Sequence, residues 1–145
     1  LPSNYISDER QKIEVYKRIR EIDSRVNYEH LQDELIDRFG EYPDVVAYLL
    51  EIGLVKSYLD QAFVALVERK QESVIIRFEK ISQQIYLTQD YFEALSTTNL
   101  KARIGEQQGL IEVVFDVRNK KDFEILENLL NFGEKLVEIK NRKAE

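Results

Sequence analysis

The stretch Phe63-Val64-Ala65-Leu66-Val67, then Glu68-Arg69-Lys70-Gln71-Glu72, then Val74-Ile75-Ile76-Arg77-Phe78 is where this chain changes its hydrophobic period. Upstream, apolar residues recur every three or four positions, as on a helix. From Phe63 onward the two β-branched and aromatic runs flank a polar loop, the pattern of a hairpin. The reading is therefore a single domain, 8–145, with a helical half, about 8–60, and a sheet-containing half, about 63–140.

Moving C-terminally, Thr88 is positioned to cap a short helix to about Thr97, with Tyr91 and Leu95 four apart on one face. A second hairpin follows. Leu100, Ala102 and Ile104 alternate with charged residues, Gln107-Gln108-Gly109 turns, and Ile111, Val113, Phe115 and Val117 alternate in their turn. Asn119 then caps a last helix whose Ile125, Leu129, Phe132, Leu136 and Ile139 form one stripe, with Lys140, Arg142 and Lys143 at its C-terminal end. The unit strand-strand-helix thus occurs twice, at about 63–97 and 100–140, without a residue-level repeat. Two ββα units with tight turns predict an antiparallel sheet covered by helices, hence an α+β fold.

Moving N-terminally, three helices are expected. Ser7 caps the first, which carries Val15, Ile19, Ile22 and Val26 as its stripe. Asn27 caps the second, with Tyr28, Leu31, Leu35 and Phe39 on one side and Gly40 as its stop. Pro43 opens the third, about 43–60, where Gly53 and Ser57 leave room for a close neighbour. Residues 1–7 read as a linker from an upstream region, and the absence of Met even at position 1 reads as a segment of something longer.

Composition narrows the function classes. A chain of 145 residues with 43% hydrophobic and 33% charged residues has enough apolar content for its own core. Cysteine is absent, which removes disulfides, thiolate zinc sites and cysteine nucleophiles. With 21 Lys and Arg against 27 Asp and Glu the net charge is -6, which opposes tight binding to duplex DNA and favours docking onto a basic protein surface. His30 is the single histidine, so no catalytic triad and no two-histidine metal site is available. The five glycines form no phosphate-cradling motif. No catalytic, metal or cofactor residue is expected, and no membrane span.

One motif stands apart: Glu34-Leu35-Ile36-Asp37-Arg38-Phe39-Gly40, followed by Pro43. Leu35 and Phe39 face the core, leaving Glu34, Asp37 and Arg38 on the other side, the two carboxylates at i, i+3. Paired acids on an exposed turn are suited to receive a partner's arginines. The competing reading is a solvated helix end whose charges satisfy only local groups.

With Leu1-Pro2, Tyr5-Ile6, Arg10, Tyr16-Lys17-Arg18 and Leu49-Leu50-Glu51-Ile52, this motif closely resembles the C-terminal domain of bacterial transcription-repair coupling factors over about residues 1–56. The sequence departs from the family at Leu59-Asp60-Gln61-Ala62-Phe63, where a Leu-Gly-Ile turn is usual. The resemblance implies a parent that is a bacterial, cytoplasmic DNA translocase using ATP and magnesium to dislodge stalled RNA polymerase and recruit excision repair. Its motor motifs are missing from this chain. It further implies a monomeric, non-catalytic lid that packs on an N-terminal module of the same parent and hides the surface for the damage-recognition ATPase (UvrA). Glu34 and Asp37 match that contact, and Arg38 stands beside them. The alternatives left open are a purely structural terminal domain and a nucleic-acid appendage using Arg69, Lys70 and the tail from Lys140 to Lys143.

Overall fold

The computed structural model describes all residues, 1–145. In chain order it contains α1 (Glu9–Arg20), α2 (Arg25–Phe39), α3 (Asp44–Gln61), β1 (Val64–Lys70), β2 (Ser73–Phe78), α4 (Ser82–Ile85), α5 (Thr88–Leu95), β3 (Ala102–Gln107), β4 (Leu110–Asp116) and α6 (Asp122–Ala144). Three helices precede a four-stranded antiparallel sheet of order β1-β2-β4-β3, as the α+β reading expects. Two compact units result, Leu1–Ser57 and Tyr58–Glu145, with the division falling inside α3.

In the first unit the helix starts are set by side chains one to three residues away from those expected. Asp8, not Ser7, caps α1 by accepting from the Gln11 N–H. Ser24, not Asn27, caps α2; Asn27 instead accepts from the Asp23 N–H at 2.9 Å. Because α1 ends at Arg20, Val26 falls in α2 rather than on the α1 stripe, and it is exposed. Val15, Ile19, Ile22, Leu31, Leu35, Val46, Leu50 and Leu54 are all buried in this unit. Gly53 permits the closest approach: a Cβ there would lie 2.9 Å from Ile19 Cγ2 and 3.1 Å from the Ile19 carbonyl oxygen. The stretch expected as a linker takes part in the packing, since Ile6 is buried and Tyr5 reaches the end of α2.

In the second unit, β2 and β4 are central, and the register pairs Val74 with Phe115 and Ile76 with Val113 on one face. That face is buried under α5 and α6. Phe132 of α6 meets Phe78 and Phe115 edge-on, with ring centroids 6.4 and 5.3 Å away, and Tyr91 of α5 meets Phe78 at 5.2 Å. The opposite face, with Ile75, Arg77, Glu112 and Val114, is uncovered and half exposed.

Both hairpins turn in two residues. The first uses Gln71-Glu72, so β1 runs through Glu68-Arg69-Lys70, which the sequence reading had placed in the loop. The second uses Gln108-Gly109, both at positive φ. The short helix α4 lies between the first hairpin and Thr88, where no element is expected from the sequence pattern. Thr88 is the first residue of α5 rather than its cap; the Asp90 carboxylate accepts from the Leu87 N–H at 2.7 Å and does that work. Asn119 occupies a positive-φ turn and α6 begins after Lys121. Phe63 also takes positive φ, at 67°, in the position after a helix that glycine usually fills. It closes the stretch Leu59-Asp60-Gln61-Ala62-Phe63. The Lys140 ammonium lies 5.1 Å above its ring.

Candidate functional site

The C-terminal corner of α2 is built by three local devices. Gly40 ends the helix at φ 82°, and its N–H donates to the Ile36 carbonyl at 2.9 Å. Tyr5 pins the corner: its hydroxyl donates to the Gly40 carbonyl at 2.8 Å and lies 3.2 Å from the Leu35 carbonyl. Its ring stands edge-on to Phe39 and Tyr42, centroids 5.9 and 6.5 Å apart. Gln32 donates to the Tyr42 hydroxyl at 2.9 Å and the Tyr28 hydroxyl at 3.2 Å, bracing the same corner from inside the helix.

On the outer side Glu34, Asp37 and Arg38 share one surface, but the two acids are not equivalent. The Glu34 carboxylate accepts from Arg18 of α1 and, at 3.3 Å, from Arg38 one turn on. Arg38 also lies 3.8 Å from Glu14 of α1 and stacks over the Phe39 ring at 5.0 Å. Four charges therefore alternate across the α1–α2 seam as Arg18, Glu34, Arg38, Glu14. The hydrogen bond from Arg18 holds the Glu34 carboxyl below the usual carboxylate range, outweighing its partial desolvation, and the same bond raises Arg18. Asp37 is exposed and has no cation within ion-pair distance.

The chemistry available is recognition of cations. Glu34 is pre-oriented by two guanidinium groups and keeps 37% of its side chain exposed, while Arg18 and Arg38 keep 33% and 36%. Asp37 presents a free carboxylate one turn along. Arg18 and Glu14 belong to the charged side of α1, opposite its apolar stripe. Their i, i+4 spacing was the available signal, but only packing shows that this face meets α2.

The cations considered for nucleic acid are mostly engaged within the second unit. Arg69 pairs with Asp122 at 3.1 Å, and Lys140 donates to the Gln61 carbonyl. Arg142 pairs with Glu93 at 3.2 Å and Lys143 with Asp90 at 2.5 Å. His30 is an exposed residue of α2. No group of three or more His, Asp or Glu side chains is placed to hold a metal ion, and no helix is long and apolar enough to cross a membrane.

Comparison with known proteins gives this corner its context. The family model TRCF domain matches residues 1–89, a range that contains the whole motif. The transcription-repair-coupling factor of Bacillus subtilis (strain 168) is 28% identical over 142 residues, which is 98% of this chain and 12% of that protein. A protein of the same description from Staphylococcus epidermidis (strain ATCC 12228) is 29% identical over 141 residues, covering 97% of this chain and 12% of that one. A crystal structure of a C-terminal domain of transcription-repair coupling factor matches with a TM-score of 0.95 at 71% identity, over 99% of this chain and 89% of that one. The chain spans 12% of the length of these curated relatives.

Proposed function

The chain belongs to the TRCF domain family, among the C-terminal domains of transcription-repair coupling factors, and from that membership we propose that it is a non-catalytic intramolecular lid. It docks through Asp37, Glu34 and Arg38 on a basic patch of an N-terminal module in its own parent protein. Docked, it covers the surface that recruits the excision-repair ATPase; displaced, it lets recruitment proceed. The observation that carries this reading is the free carboxylate of Asp37 beside a pre-oriented, part-exposed Glu34.

Energetics favour such a device. A tethered lid needs only a modest intrinsic affinity, because a short flexible linker supplies an effective concentration on the order of mM. Part-exposed charge contacts contribute roughly 0–1 kcal/mol each, so an interface built on a few of them opens readily.

A second reading has one specific observation in its favour. Glu34 is bonded to Arg18 and Arg38 of its own unit, so part of the motif holds the α1–α2 seam. Reversing both acids would leave Arg18 and Arg38 facing a new cation and confound docking with stability. The cleaner variant is Asp37→Lys alone, in the full-length parent, assayed for capture of the damage-recognition ATPase. Capture should rise. Unchanged capture, with the variant domain fully folded, would assign the motif to structure and overturn the lid.

A further inference from the structure

The sheet of the second unit has two free edges, and they are finished differently. At the β1 edge the register with β2 shifts between Val64 and Leu66, and the strand ends in Glu68, Arg69 and Lys70. A break in register and a run of charge are the usual means of discouraging a further strand. At the β3 edge the pairing with β4 is unbroken from Ala102–Phe115 to Gln107–Leu110, and the strand contains no proline.

The hydrogen-bond phase of β3 can be read directly. Asp116 donates to the Lys101 carbonyl at 2.8 Å, so Lys101 and Asp116 form a hydrogen-bonded pair in the antiparallel ladder. Arg103, Gly105 and Gln107 follow in the same phase, opposite Val114, Glu112 and Leu110. The backbone N–H and C=O groups of Ala102, Ile104 and Glu106 consequently point away from β4, toward the free edge. This is an open template about three residues deep.

The side chains along that edge specify what it would take. On the uncovered sheet face lie Lys101 and Arg103, both exposed and neither within ion-pair distance of a carboxylate. They border a groove of about 420 Å³ whose other cations, Lys70 and Arg118, are occupied by Glu68 at 3.5 Å and Glu72 at 3.0 Å. On the opposite face Ala102 and Ile104 stand next to Phe115 and Val113, so Ile104 is a half-buried margin of the core. Arg103 turns its bonding groups to β4, which puts it in a non-bonded position toward any added strand, where side chains come closest.

We propose that the β3 edge binds an extended acidic peptide segment by strand addition, its carboxylates alternating with apolar side chains. The carboxylates pair with Lys101 and Arg103, the apolar residues extend the core beside Ala102 and Ile104, and the backbone saturates Ala102, Ile104 and Glu106. A nucleic-acid strand fits less well. The groove has no aromatic side chain on which bases could stack.

The test uses the 145-residue chain and a short fluorescein-labelled peptide alternating glutamate and valine, with a peptide of the same composition in block order and a single-stranded oligonucleotide as competitors. Fluorescence anisotropy should saturate with the alternating peptide, and Lys101→Glu with Arg103→Glu should weaken it about tenfold or more. Ala102→Pro removes only an outward N–H at the first strand position and should abolish binding. On the unaltered chain, amide exchange at Ala102, Ile104 and Glu106 should slow on binding, while Arg103 and Gly105, already bonded to β4, stay as they were. Absence of saturation, equal binding of the block peptide, displacement by the oligonucleotide, or binding without slowed exchange at those three amides would each overturn the proposal. None of these readouts involves Glu34, Asp37 or Arg38, so the outcome is separable from that of the lid.

Discussion

Asp90 in α5 and Glu34 in α2 are both carboxylates held by long cationic side chains, one in each compact unit, and they differ in what surrounds them. The Asp90 side chain is 6% exposed, takes a hydrogen bond from the Leu87 N–H, and meets the Lys143 ammonium at 2.5 Å. Lys143 also donates to the Ile85 carbonyl at 3.1 Å, so a single cation fastens the end of α6 to α4 and α5. Glu34 is 37% exposed and meets only guanidinium groups, which are themselves about one-third exposed. A buried carboxylate with a backbone donor cannot exchange partners without leaving polar groups unpaired. A half-exposed one can, because water and a competing arginine reach it. The same ionic chemistry therefore serves as a clasp in one unit and as an exchangeable contact in the other.

The largest effect should come from breaking the clasp. Asp90→Ala leaves the Leu87 N–H and the Lys143 ammonium without their acceptor, and should cost about 2–3 kcal/mol in chemical denaturation. A loss as small as that of a surface pair would show that burial does not distinguish the two sites.

Next in size is the seat of α1, which carries Arg18 to Glu34. Gly53→Ala gains helix propensity of roughly 1 kcal/mol but places a methyl 2.9 Å from Ile19 Cγ2 and 3.1 Å from its carbonyl oxygen. Backbone cannot yield as a flexible side chain does, so a net loss of about 1–2 kcal/mol is expected in the same denaturation assay. A stabilised variant would mean that α1 is free to shift, and with it the pairing that orients Glu34.

These two sites also show why sequence reached some features and not others. The change of period at Phe63, the alternation of Ile111, Val113, Phe115 and Val117, and the stripe of Ile125, Leu129, Phe132, Leu136 and Ile139 are local signals, and the sheet and α6 follow from them. Helix starts were misplaced because several Ser, Thr, Asn and Asp residues stand near each one, and a cap is chosen by where the preceding chain arrives. The clasp was hidden: Lys143 and Asp90 are far apart in sequence and join only after α5 and α6 pack. The motif Glu34, Asp37 and Arg38 was legible as a surface, but its inequality depends on Arg18 and Glu14 from another helix. Outward phase at β3 likewise depends on pairing with β4, which no residue type announces.

Acid should separate the sites in another way. Burial opposes ionisation of Asp90, yet the Lys143 and Leu87 hydrogen bonds and the nearby positive charge prevail, so its pKa is lowered; that of Glu34 is lowered chiefly by the Arg18 hydrogen bond. A carboxyl lowered on folding stabilises the native state above its unfolded pKa, about 4, and that contribution fades as pH falls through the folded value. Denaturant midpoints should therefore decline below about pH 4, and less steeply in Asp90→Asn than in the parent chain. Glu34→Gln should flatten the profile less, and should cost below about 1 kcal/mol at neutral pH. Equal flattening by the two variants would erase the distinction between clasp and contact.

The smallest expected change in stability is the most informative about function. Asp37 has no partner within the chain, so Asp37→Asn removes no hydrogen bond or ion pair and should leave the denaturation midpoint within about 0.5 kcal/mol of the parent. It keeps the size of the side chain and deletes the charge that an incoming arginine would meet. In the full-length parent its effect should therefore appear in docking alone, as a rise in capture of the damage-recognition ATPase that grows smaller with added salt, since screening already weakens the wild-type contact. A clear loss of stability in the isolated chain would place Asp37 with Asp90 among the groups that hold the fold, and the corner of α2 would then have no free acid to offer.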